Sequence, residues 1–145
     1  MTCIVGYIEK SVVHIGGDSA GTDDSLSLTI RKDPKVFKQG PFIMGLTTSF
    51  RMGQLLMSSR FISPKQKANQ TDYDFMVTDF VDAVRNCFKD GGYLQKEDSG
   101  EEKGGMFLVG YKGVLYEMHE DFQVGIPHEI FSACGCGDDL AKGAF

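Results

Sequence analysis

Between Cys3 and Leu46 the chain runs through five short segments rich in β-branched and aromatic residues, each closed by a turn signal. A stretch built this way can fold into little but strand after strand. Residues 3–8 are apolar, Glu9-Lys10-Ser11 interrupts them, and residues 12–15 resume the same character, which is the pattern of a β-hairpin. Gly16-Gly17-Asp18-Ser19-Ala20-Gly21 follows directly, small residues that let the backbone approach something closely. Residues 26–30 alternate, Asp33-Pro34 leads into Lys35-Val36-Phe37, and Gly40-Pro41 separates that run from residues 42–46.

The period then changes. Phe50, Met52, Leu55, Leu56 and Phe61 fall near helical spacing and predict a first helix between Ser49 and Pro64. Thr71 with Asp74 three positions on reads as a helix start, and Met76, Phe80, Val84, Cys87 and Phe88 mark one face until Gly91-Gly92 ends it. Residues 96–103 read as a charged, solvated loop. Residues 106–110 and 114–118 flank Tyr111-Lys112-Gly113 as a second hairpin, residues 130–135 make one more strand, and residues 138–145 open a helix. The expectation is one α+β domain over 1–145, layered, with its last helical layer incomplete.

Charge and cysteine usage exclude several functions. The chain has 15 Lys+Arg against 20 Asp+Glu, a net charge of -5, so a nucleic-acid backbone is repelled and no nucleic-acid partner is expected. No apolar run reaches the roughly 18–20 residues of a membrane span, and no signal-peptide layout opens the chain, so a cytoplasmic protein without a membrane partner is expected. Cys3, Cys87, Cys134 and Cys136 form no CxxC pair and lie near no histidine at ligand spacing, which predicts reduced, mostly buried thiols and no metal site. His14, inside an apolar strand, reads as a packed core histidine, and His119 and His128 as loop residues.

Thr2 stands behind the initiator methionine. Removal of Met1 leaves a threonine whose own α-amine can reach its hydroxyl, and because an ordinary α-amine titrates near neutrality, one residue can supply both nucleophile and base. Met1-Thr2-Cys3-Ile4-Val5, together with Val13-His14-Ile15-Gly16-Gly17-Asp18, resembles the start of proteasome β-type and HslV-like peptidases of the N-terminal nucleophile (Ntn) hydrolase superfamily. Ala133-Cys134-Gly135-Cys136-Gly137, followed by Ala141 and Gly143-Ala144, is similar to the family's later Gly-Ser-Gly turn and helix.

The resemblance implies a four-layer αββα sandwich of two antiparallel sheets, its C-terminal helical layer short here. It implies a threonine-type peptidase that hydrolyses polypeptide substrates with no metal or organic cofactor, in a homo-oligomeric ring fed by an ATP-dependent unfoldase. Thr2 is then the nucleophile, and Asp18 and Lys35 are the buried pair beside it. The backbone N–H of Thr48, or of Thr47 one residue earlier, forms the oxyanion hole. Thr22 corresponds to a backbone position that pairs with an extended substrate, and Gly45 to a roomy pocket wall.

Cys136 replaces the serine that the family places near the threonine amine, and a thiol is the weaker hydrogen-bonding group. The family also usually has glycine where Thr48 stands, and it continues beyond the point matching Phe145 with helices and strands that add an aspartate and a serine. Without that layer one sheet face would expose apolar side chains, so a truncated chain, a neighbouring subunit that covers the gap, or a marginally stable protein is expected. Two other readings of the same likeness are a non-catalytic structural or assembly subunit and a small-molecule amidohydrolase.

Overall fold

Lys10 and Ser11 take φ values of 49° and 63°, the sign pattern of the two-residue turn that matches strand twist. They join β1 (Ile4–Glu9) to β2 (Val12–Gly17). Lys112 and Gly113, with φ values of 47° and 79°, do the same for β9 (Phe107–Tyr111) and β10 (Val114–Met118). Both predicted hairpins are present. The computed structural model describes residues 2–22, 25, 27–96 and 102–145.

β12 (Phe131–Cys134) pairs with the free edge of β1 to give a three-stranded sheet in the order β12-β1-β2. A five-stranded sheet has the order β11-β10-β9-β6-β5, with β5 spanning Val36–Gln39, β6 Phe42–Leu46 and β11 Val124–Gly125. The described pairings are antiparallel. A short ribbon, β3 (Ala20–Thr22) with β4 (Leu28–Ile30), stands apart, and Leu26 lies outside the described residues. The stretch read as a charged loop holds a strand pair instead, β7 (Gln95–Lys96) with β8 (Glu102–Lys103), while residues 97–101 lie outside the described residues.

The two sheets stack face to face over Ile4, Leu108, Leu115 and Cys134, flanked by Ile8, Val13, Ile15 and Val36. Helices cover the other face of the larger sheet. α1 (Phe50–Met57) ends earlier than predicted, because Ser58 turns extended and its hydroxyl donates to the Leu55 carbonyl at 2.7 Å, closing the helix before Phe61. Thr71 caps the next helix through a 3.1 Å acceptance from the Asp74 amide. That helix runs through α2 (Asp72–Phe75), a π turn over Met76–Phe80 and α3 (Val81–Asp90). Met52, Leu55, Leu56, Phe75, Phe80, Val84 and Phe88 form the main core with Phe42 and Tyr116. Burying each such side chain contributes roughly 1.5–3 kcal/mol.

On the outer face of the smaller sheet, the described helical layer is α4 (Asp138–Ala144), which buries none of its residues. Phe145 stacks on Phe131 at 4.6 Å, and the exposed Tyr7 stacks on His14 at 4.8 Å. His14 is therefore not a core residue. In β2 the inward positions are Val13 and Ile15, so strand alternation turns His14 to the outer face. The layered αββα architecture with a sparse last layer agrees with the sequence expectation.

Candidate active site

One end of the sandwich collects the polar residues that the sequence singled out. Register does this: Ile4 pairs with Gly17 on one side and Cys134 on the other, so the residue pair before β1 lies between the segment after β2 and the segment after β12. The amide of Cys3 donates to Asp18 Oδ1 at 2.7 Å, and the Asp18 amide returns a bond to the Cys3 carbonyl at 3.3 Å. On the other side the Gly137 amide donates to the Thr2 carbonyl at 3.2 Å. Gly135, at φ +99°, lies so close that a Cβ there would collide with the same carbonyl oxygen, and only glycine takes that backbone without strain.

Lys35, just before β5, reaches into this junction from the larger sheet. Its ammonium donates to Thr2 Oγ1 at 2.9 Å and to the Asp18 carboxylate at 3.0 and 3.2 Å, and it also meets the Ala20 carbonyl. The Lys35 side chain is only 5% exposed against 33% for Asp18, so a buried cation is held by a half-buried anion. Burial of Asp18 works against its charge, but the Cys3 N–H, the Lys35 ammonium and the Ala20 N–H outweigh it and hold the carboxyl below the usual carboxylate range. Arg31 stacks over the Phe50 ring at 3.9 Å and pairs with Asp33, and the Lys35 ammonium lies 5.6 Å from the centre of the same ring.

A cleft of about 580 Å³ opens over this cluster. Thr2 and Lys35 line it, together with Gly21 and Thr22 of β3 and with Thr47, Thr48 and Ser49. Leu46, Gly53, Met57 and Met106 give it an apolar wall, and Cys136 and Asp138 lie at the rim formed after β12. Gly45 is not brought to the cleft: it faces the smaller sheet, where a Cβ would stand 2.5 Å from Ile4 Cγ2 and 2.6 Å from Ile15 Cγ2. The wall position that the sequence reading gave to Gly45 is occupied by Leu46.

Thr48 has φ +58°, a left-handed backbone rare for a β-branched residue. The Thr47 amide is engaged, donating to the Met106 carbonyl at 3.3 Å. The Thr48 amide has no acceptor among the described residues. Met106 escaped the sequence reading as a site residue, because it sits at a strand start with nothing chemical about it. Among the described residues no cluster of metal-ligating side chains is present.

The fold has known counterparts. BPH of Thiobacillus denitrificans, solved alone and in complex with epoxomicin, superposes with a TM-score of 0.73 at 17% and 15% identity, over 98% of this chain and 76% of BPH. HslV of Trypanosoma brucei gives 0.61 at 14% identity over 98% and 76% of the two chains. Anbu (ancestral beta-subunit) of Yersinia bercovieri gives 0.59 at 14%, over 94% of this chain and 61% of its own. This is the proteasome-type N-terminal nucleophile fold. No protein-family model and no curated protein matches the sequence. In the proteasome-type fold seen here, Thr2, Lys35, Thr22, Thr47, Thr48 and Cys136 line the cleft, Asp18 joins them through its ion pair with Lys35, and Gly45 faces the smaller sheet. No helix of the described residues is long and apolar enough to cross a membrane.

Proposed function

We propose that the protein is a threonine peptidase that cleaves peptide bonds through the Thr2 hydroxyl once Met1 has been removed. Met1 itself lies outside the described residues. The observation that carries the reading is the 2.9 Å bond from a buried, aspartate-held lysine to Thr2 Oγ1 at the base of a cleft. A fixed cation there stabilises a developing alkoxide, and it disfavours protonation of an α-amine on the same residue.

The Thr2 hydroxyl attacks the scissile carbonyl carbon while its proton passes to the α-amine. The Thr48 N–H receives the oxyanion. The C–N bond then breaks, the α-amine hands its proton to the departing amine, and an acyl ester remains on Thr2 Oγ1. Water, deprotonated by the same amine, hydrolyses that ester and restores the threonine. Backbone of β3 at Gly21 and Thr22 and of Thr47–Ser49, which line the same cleft, offers an extended peptide hydrogen-bond partners. Cys136 takes the position near the amine and contributes bulk with weak hydrogen bonding.

The protein works in this reading as a homo-oligomeric ring in the cytoplasm, fed with unfolded polypeptide by an ATP-dependent unfoldase. Support for that assembly is the likeness to BPH, HslV and Anbu. Epoxomicin, bound by BPH, is the natural probe, because a peptide epoxyketone forms its stable ring only with a free amine and the hydroxyl of one residue. Intact mass after incubation should show loss of Met1 and one adduct per chain, absent in Thr2→Ala. Retained Met1, or an unmodified mass after its loss, would sink the proposal. Gel filtration separates a ring from a monomer acting on small amides.

A further inference from the structure

Thr47 and Thr48 reach across the end of the β6–β9 seam to a single residue, Met106. The last registered pair of that seam is Leu46 with Phe107, so 47 and 106 stand opposite each other just beyond it. The Met106 amide donates to Thr48 Oγ1 at 3.1 Å. The Thr47 hydroxyl donates to the Met106 carbonyl at 2.8 Å, and the two hydroxyl oxygens are 3.3 Å apart. Since the Thr47 proton is committed to that carbonyl, the proton between the hydroxyls comes from Thr48. The bonds therefore run in a closed ring from Met106 N–H to Thr48 Oγ1, to Thr47 Oγ1, and back to Met106 C=O.

We propose that this hydroxyl ring is a positioning device that holds Thr48 in its left-handed backbone and so aims the Thr48 N–H into the cleft. The inference rests on the peptidase reading for what the N–H does, though not for the ring itself. A left-handed β-branched residue persists only where its surroundings over-determine it, and such strain concentrates where geometry is functional. Each hydroxyl in the ring donates once and accepts once, an arrangement in which the bonds polarise and strengthen one another. Glycine adopts φ +58° freely but leaves the direction of the amide loose. Threonine disfavours the conformation and then locks it through its own oxygen. Thr47 and Thr48 are thus positioning residues, acting through a backbone donor.

The test compares Thr48→Val, which keeps the β-branch and removes the ring, with Thr48→Ser, which keeps the hydroxyl. On a fluorogenic peptide, kcat of Thr48→Val should fall roughly 100-fold, the scale of losing an oxyanion donor, with KM changed less than about twofold. Thr48→Ser should recover most of that loss. If Thr48→Val does not fold, Thr48→Gly replaces it: a kcat about tenfold below Thr48→Ser supports the ring, because an unheld donor loses part of the same term. A valine or glycine variant with a kcat equal to that of serine overturns it. Amide hydrogen exchange reads the ring without catalysis, since Met106 should lose protection in Thr48→Val and Thr48→Gly and keep it in Thr48→Ser. Unchanged Met106 protection overturns the ring whatever the activity. Failure of the wild-type protein to form an epoxomicin adduct removes the peptidase reading instead, and the exchange result still decides the ring.

Discussion

Replacing Asp18 by asparagine tests the charge arrangement under Thr2 most directly. The aspartate receives only donors: the Cys3 and Ala20 amides at 2.7 and 2.8 Å, and the Lys35 ammonium at 3.0 and 3.2 Å. Asparagine keeps the shape, removes the charge, and turns an NH₂ toward one of those donors. Lys35 stays buried with no counter-charge. Removing one partner of a buried ion pair costs roughly 3–5 kcal/mol, and because a third of Asp18 is open to water, we scale this to about 2–3 kcal/mol. For a chain of this length that is a fall in Tm of about 6–10 °C.

The measurement is thermal unfolding followed by circular dichroism across pH. Asp18 has a lowered pKa in the folded state, so its contribution is complete above the unfolded-state value and is lost as pH falls through the folded one. The Tm gap between wild type and Asp18→Asn should be flat from neutral pH down to about 5 and begin to shrink only below about 4, on the way to the lowered folded-state value. A double variant, Asp18→Asn with Lys35→Met, should regain at least half of the loss, because the stranded cation is gone. A gap under about 2 °C at neutral pH, less than 1 kcal/mol on the same scale, would refute the reasoning. So would a gap that closes while the pH is still above about 5, or a double variant whose losses simply add.

The thiols should separate by exposure: a water-soluble disulfide reagent on the native protein should modify Cys136 first. Cys87 and Cys134, whose burial pushes their pKa values up to about 11 and about 12, should react only on unfolding, and fast labelling of either would contradict the packing. Gly135→Ala should lower stability by about 1–3 kcal/mol through its left-handed backbone alone. It should also slow epoxomicin adduct formation by pushing on the Thr2 carbonyl, and a variant with wild-type Tm and adduct rate would show that the approach of Gly135 to Thr2 is not needed.

What could be read in advance followed from local chemistry. Turn residues between apolar runs gave both hairpins, and Thr71 with Asp74 gave the start of the long helix, since the signals lie within a few positions of one another. The grouping of Thr2, Asp18 and Lys35 came from likeness to a family and not from periodicity, because no spacing along the chain tells where strand ends meet. Two expectations differ from the structure for different reasons. Residues 12–15 are apolar but for His14, and so short a run does not declare which parity faces inward: Val13 and Ile15 do, and His14 does not. Gly45 followed from the family likeness carried one position off, since its neighbour Leu46 lines the cleft. The family glycine at the position of Thr48 pointed to an unusual backbone there, but the hydroxyl contact that accompanies it was not legible, because its partner lies 58 residues away.

The site is fixed by strand register more than by its own side chains. Cys3 meets Asp18 because Ile4 pairs with Gly17, and Thr2 meets Gly137 because Ile4 pairs with Cys134. Lys35 arrives because Val36 pairs with Gly45, which also draws the Leu46 amide onto the Lys35 carbonyl at 2.9 Å. A slip of one residue in any of these pairings would turn every side chain of that strand to the opposite face, so the buried Ile4, Leu108 and Leu115 hold the register against it. The space that Gly45 leaves for Ile4 and Ile15 is therefore part of the site's construction although it lies outside the cleft. Changes at Asp18 or Cys136 alter charge and hydrogen bonding on strand ends that stay in place. A methyl group at Gly45 would press on the inter-sheet contacts that decide where those ends lie, and so act on Thr2, Lys35 and Thr48 together.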